Sequence, residues 1–132
     1  MGRRELREQI FLLLFRVEFN DPSDMPDQMK LFFEDGEVQR GPEDVAYITG
    51  KYDRIMEKLP ELDGQLNEKT ENWDIGRMGK VELTVLRLAL YEMQYDDDVP
   101  VSVAINEAVE LAKKFGQESS GAFVNAVLAK FA

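Results

Sequence analysis

A chain whose 132 residues include neither a histidine nor a cysteine has few ways to do chemistry. Those two absences remove the commonest general base, the commonest metal ligand and the thiol nucleophile, and with them disulfides and cysteine-bound zinc. Carboxylates and lysines are plentiful, yet they form no paired-carboxylate arrangement, and no phosphate-cradling glycine loop or serine nucleophile elbow appears. The expectation is a protein that is not an enzyme and holds no metal or cofactor. The run Asp96-Asp97-Asp98 lacks the glycine and distal glutamate of a calcium loop and reads as a solvated turn. Binding chemistry is better represented. Arg3, Arg4 and Arg7 precede Phe11 and Phe15, and cations beside aromatic rings suit phosphate contact and base stacking. Taken by themselves, the same residues read more readily as a solvated helix start followed by core phenylalanines.

Charge sharpens that choice. Through residue 17 four arginines face Glu5 and Glu8, a local +2, so the formal total of −10 leaves −12 on the remainder. Such a chain repels polyanions at long range, and any nucleic-acid site must be a local patch.

The elements that would carry these residues are all helical. In residues 3–17, Leu6, Ile10, Leu13, Leu14 and Val17 make one apolar face and Phe11, Phe15 and Phe19 a ridge nearly opposite, so this helix should sit between two packing layers. Asn20-Asp21-Pro22-Ser23 breaks it, and Ser23 or Asp24 is placed to cap a short helix burying Met29, Phe32 and Phe33. Residues 34–42 form a loop. A third helix starts near Glu43, with Val45, Ile48, Tyr52, Ile55, Met56 and Leu59 at helical spacing, and Pro60 ends or kinks it ahead of Leu62 and Leu66. Residues 71–80 form a hinge in which Trp73 reads as a core plug between subdomains rather than a ligand platform. Beyond it, residues 83–95 are apolar almost all round, the mark of a central helix. Pro100 enforces the next turn, with Ser102 as a cap, and Ala104, Ile105, Ala108, Val109, Leu111, Ala112 and Phe115 then fill one side of a surface helix. A polar loop at 117–121 leads to a last helix carrying Phe123, Val124, Val127, Leu128 and Phe131. No apolar run approaches the roughly 20 residues needed to cross a bilayer, so the expected setting is the cytoplasm, away from the membrane.

LRLALYEM at 86–93, VPVSVAINEAVELAKKFG at 99–116 and FVNAVL at 123–128 resemble, in order and spacing, the C-terminal half of the NusB family of bacterial transcription antitermination factors. RRELREQIFLLLF at 3–15 is similar to the family's opening more loosely. The resemblance implies an all-α, compact domain of about seven helices over 1–132, in an N-terminal helical subdomain of about 1–70 and a C-terminal one of about 71–132. It implies binding of single-stranded, boxA-type RNA jointly with the small-subunit ribosomal protein NusE, within an RNA polymerase-associated complex.

Residue by residue, the resemblance places Arg3, Arg4, Arg7 and Phe15 on the RNA surface, with phenylalanine at 15 where a tyrosine is familiar. It adds Gln117, Ser119, Ser120, Phe123 and Asn125 from the start of the last helix. Arg77 and Glu82 fall at the contact with NusE. Without the resemblance, Glu82 is simply a carboxylate favoured at a helix N-terminus. The segment 117–122 lacks the family's acidic residue and lysine, and Ala126 replaces a usual glycine. With the acidic charge, these departures keep open an alternative: a helical protein-interaction module of the same fold with little RNA affinity.

Overall fold

The computed structural model describes residues 1–70 and 76–132, so Trp73 lies outside the described residues. Six α-helices and two 3-10 turns account for the regular structure among them, and no strand occurs there. The chain forms two compact units, Met1–Arg54 and Ile55–Ala132.

In the first unit, α1 (Arg3–Phe15) continues into a 3-10 turn at Arg16–Phe19, followed by a second at Pro22–Asp24 and then α2 (Met25–Glu34). Both expected faces of α1 are present at its middle, where Ile10, Phe11, Leu13 and Leu14 are all buried. The phenylalanine ridge then emerges: Phe15 is half-buried and Phe19 is 59% exposed. The capping expectation for α2 needs correction. Residues 22–24 form their own 3-10 turn, and Asp24 occupies the cap position with a helical backbone and no side-chain bond. Pro26 near the start lacks the N–H that a cap would serve. In the loop after α2, the Asp35 carboxylate accepts the Glu37 N–H at 3.0 Å.

The helix α3 (Pro42–Lys69) passes from the first unit into the second. It does not end at Pro60, which lies inside it, exposed. An interior proline costs a helix about 3 kcal/mol. Ile55, Leu62 and Leu66, all fully buried, flank it, and each such side chain contributes roughly 1.5–3 kcal/mol on leaving water. Burial on both sides of the proline therefore outweighs it and fuses two expected helical stretches into one.

The rest of the second unit is α4 (Lys80–Tyr95), α5 (Val101–Phe115) and α6 (Ser120–Ala129), which pack on one another pairwise. Ten successive residues of α4, Leu83 to Glu92, are buried, as a helix apolar nearly all round requires. On α5 the buried residues are Ala104, Ala108, Leu111 and Ala112, and the three alanines are small enough to let a neighbouring helix approach. The turn between them is a solvated Asx turn. Asp96 Oδ1 accepts the Asp98 N–H at 3.1 Å, and its carbonyl accepts the Val99 N–H at 3.2 Å. Ser102 is not the cap of α5: the helix begins one residue earlier, with Pro100 in the cap position and no side-chain bond. Gly116 ends α5, and the polar loop is shorter than expected because Ser120 and Gly121 already belong to the first turn of α6.

One tie in this unit carries no periodic signal. Arg87 of α4 meets Asp63 of α3 as a two-pronged pair, Nε to Oδ1 and Nη2 to Oδ2, both at 2.8 Å. It fixes the helix that bears Glu82 against the C-terminal part of α3.

Candidate nucleic-acid interface

In the first unit, Arg3 and Arg4 stand exposed on the first turn of α1, whose Gly2 cap has extended backbone and no side-chain bond. A helix N-terminus carries about half a positive charge, and the two guanidiniums add to it, so the local field favours an anion. Arg7, one turn on, is only 8% exposed and is engaged within the protein, so it is less available than its neighbours. Phe15 stacks on Phe11 with centroids 5.8 Å apart and meets Phe19 edge-on at 5.0 Å. The three rings form a ladder, buried at one end and open at the other.

In the second unit, Gln117, Ser119 and Asn125 are exposed and Phe123 is half-buried. Ser120 differs: it is 1% exposed. Its hydroxyl accepts the Gln117 N–H at 2.9 Å and donates to Glu82 Oε1 in a short hydrogen bond. The last-helix loop and the first turn of α4 are thus joined by one serine and one carboxylate. Arg77 is exposed in the turn before α4.

Two glycines make that joint possible. A Cβ at Gly79 would lie 2.2 Å from Glu82 Oε2, and one at Gly116 would lie 2.6 Å from Ser120 Oγ and 2.7 Å from the Ala112 carbonyl oxygen. Neither glycine has a positive φ, so each serves close approach rather than an unusual backbone. Sequence reasoning placed Glu82 and Ser120 at separate contacts and missed their bond. The signal available was a glycine three residues before the glutamate and another four before the serine. A third, Gly121, lets α6 lie against α5, since a Cβ there would be 3.2 Å from Lys113 Cγ.

The described helices include none long and apolar enough to cross a membrane. The model of the NusB family matches residues 4–132. The chain is 50% identical over 132 residues to the transcription antitermination protein NusB of Agathobacter rectalis, covering all of both proteins. Among solved structures it is similar to NusB of T. maritima, with a TM-score of 0.87 and 32% identity over 100% of this chain and 91% of that one. It is also similar to a chain in the complex of antitermination factors NusB and NusE with double-stranded RNA, with a TM-score of 0.78 and 26% identity over 97% of this chain and 93% of that one. The family match runs from Arg4, in the first turn of α1, to the last residue and so spans nearly all of both units: this chain belongs to the NusB family.

Proposed function

We propose that this protein is an RNA-binding transcription antitermination factor. It takes up boxA-type RNA jointly with NusE and acts within an RNA polymerase-associated complex in the cytoplasm, with no bond-making step. The observation that carries this reading is family membership over nearly the whole chain, together with a solved relative held with NusE and RNA.

Within that reading Arg3 and Arg4 neutralise phosphates, while Phe15 and Phe123 offer ring faces to bases. Gln117, Ser119 and Asn125 supply exposed polar groups beside Phe123, and Arg7 and Ser120 act from within, holding the surfaces on which the others stand. Glu82 and Arg77 meet NusE. The burial of Arg7 and Ser120, with the net charge of −10, favours the second reading, a protein-interaction module of the same fold with little RNA affinity.

Phe123→Ala separates the two. A fully buried phenylalanine costs roughly 3–5 kcal/mol when truncated. Because this ring is half-buried, the stability loss in urea should be smaller, while affinity for single-stranded RNA measured on the folded protein falls by roughly 1–3 kcal/mol. Unchanged RNA affinity in the folded variant would move Phe123 out of the site, and an unaltered chain that fails to bind single-stranded RNA would favour the module.

A further inference from the structure

A second cationic arrangement in the Met1–Arg54 unit belongs to none of the residues considered so far. The Arg16 guanidinium lies 5.2 Å from the centre of the Phe32 ring, and that of Arg40 lies 4.5 Å from the same centre and 5.4 Å from Phe33. Arg40 donates through Nε to Gln9 Oε1 at 2.8 Å and through Nη1 to the Phe32 carbonyl at 3.2 Å. Arg16 donates through Nη1 to the carbonyl and side-chain oxygens of Gln28, both at 3.2 Å. All four acceptors are neutral, and among the described residues neither guanidinium forms an ion pair with a carboxylate.

This is an uncommon choice for a chain with 26 acidic residues. Two like charges brought to one ring repel, and hydrogen bonds to neutral oxygens do not neutralise them; Asp35 acts on Arg40 without an ion-pair contact. Burial and the Arg16 charge lower the Arg40 pKa, burial most, against an opposing pull from Asp35. Each guanidinium has five N–H donors in a planar fork. The protein engages Nε and Nη1 of Arg40 and only Nη1 of Arg16, so Nη2 of the first and Nε and Nη2 of the second keep donors to offer. Gln9 and the Phe32 ring meanwhile hold Arg40 in place, so little side-chain entropy remains to be lost on binding. A phosphate supplies what is missing, negative charge and several acceptor oxygens. Phe19, on the same 3-10 turn as Arg16 and 59% exposed, offers a base face in addition, which a free phosphate ion would not use.

We infer that Arg16 and Arg40 form a clamp for a phosphodiester of single-stranded RNA, a second point of backbone contact beyond Arg3 and Arg4. The inference rests on the RNA-binding reading above.

The test is the salt dependence of binding to a short single-stranded RNA, read by fluorescence anisotropy on the full chain. Each neutralised phosphate contributes a slope of about −0.7 in log affinity against log salt. Arg3 and Arg4, on one phosphate each, would give about −1.4, and the clamped phosphate would bring the total to about −2.1. Arg16→Gln with Arg40→Gln is expected to flatten the slope by about 0.7, and Arg16→Gln alone, which leaves the Arg40 tie intact, by a smaller part of that. Arg16→Lys with Arg40→Lys should retain most of the slope because the charge remains. A slope that responds to Arg3→Ala with Arg4→Ala but not to the glutamine pair would leave the RNA reading standing and overturn the clamp. No RNA binding by the unaltered chain at low salt would overturn both. Inorganic phosphate that perturbs the arginine Nε–H signals, with an RNA slope indifferent to the glutamine pair, would assign the site to a free ion and not to RNA.

Discussion

Replacing Arg87 by alanine is expected to cost about 2–4 kcal/mol of stability: loss of one member of a fully buried, hydrogen-bonded pair costs about 3–5 kcal/mol, and Asp63, which is only half-buried, regains part of that from solvent. Arg87 is 8% exposed, and both prongs of its contact with Asp63 are at the 2.8 Å of a good charge-assisted bond. If the pair behaved as a surface ion pair, the loss would stay below about 1 kcal/mol. Urea unfolding distinguishes the two. The double replacement Asp63→Leu with Arg87→Met should recover most of the loss, since apolar side chains of similar size often substitute for a buried ion pair at little cost. A double variant as unstable as Arg87→Ala would show instead that Arg87 contributes through its other contacts. The consequence reaches function because α4 carries Glu82, and a loosened α4 presents that carboxylate in no fixed place.

The second large effect is expected at Glu82 itself. If Glu82 is the charged anchor proposed for NusE, Glu82→Lys should weaken partner binding by at least ~1 kcal/mol through exchange of an attractive charge for a repulsive one. The bond to Ser120 adds a further loss. Lysine cannot accept the Ser120 proton, and a buried hydroxyl left without its acceptor costs about 1–3 kcal/mol. The variant should therefore lose stability and partner affinity together, whereas Glu82→Gln, which keeps an acceptor oxygen, should lose mainly the charge-dependent share. Calorimetry with NusE and urea unfolding of both variants check this. Full partner affinity in a folded Glu82→Lys protein would remove Glu82 from the contact.

The legible part of this chain was the part governed by apolar periodicity. Leu83 to Leu90 and the stripe from Ala104 to Ala112 announced a central helix and a one-sided one, because burial of a helical face leaves a repeat in the sequence. Pro60 misled because its local cost is visible in sequence and the burial of Ile55, Leu62 and Leu66 that exceeds it is tertiary. The caps at Ser23 and Ser102 misled for the opposite reason: a serine near a helix start is permissive, and in both places a proline sits at the boundary. Buried charge left no pattern at all. Lys51, Arg87 and Glu92 are each under a tenth exposed, and nothing in their spacing separates them from solvated residues. For the candidate site, family resemblance pointed to individual positions but not to their relations, so Glu82 and Ser120 appeared as members of different contacts although one hydrogen bond joins them.

That bond bears on the central claim, that RNA and NusE are bound jointly. Ser120 accepts the Gln117 N–H, in the loop proposed to meet RNA, and donates to Glu82, in the turn proposed to meet NusE. A partner that engages Glu82 acts on a group already connected to the loop. The most direct measurement is fluorescence anisotropy of a labelled boxA-type RNA titrated with this chain alone, with NusE alone and with the two together at one salt concentration. The account predicts that the pair binds more tightly than either protein, and that RNA strengthens the contact between the two proteins by the same factor, as linkage requires. An RNA affinity for this chain that NusE leaves unchanged would contradict it.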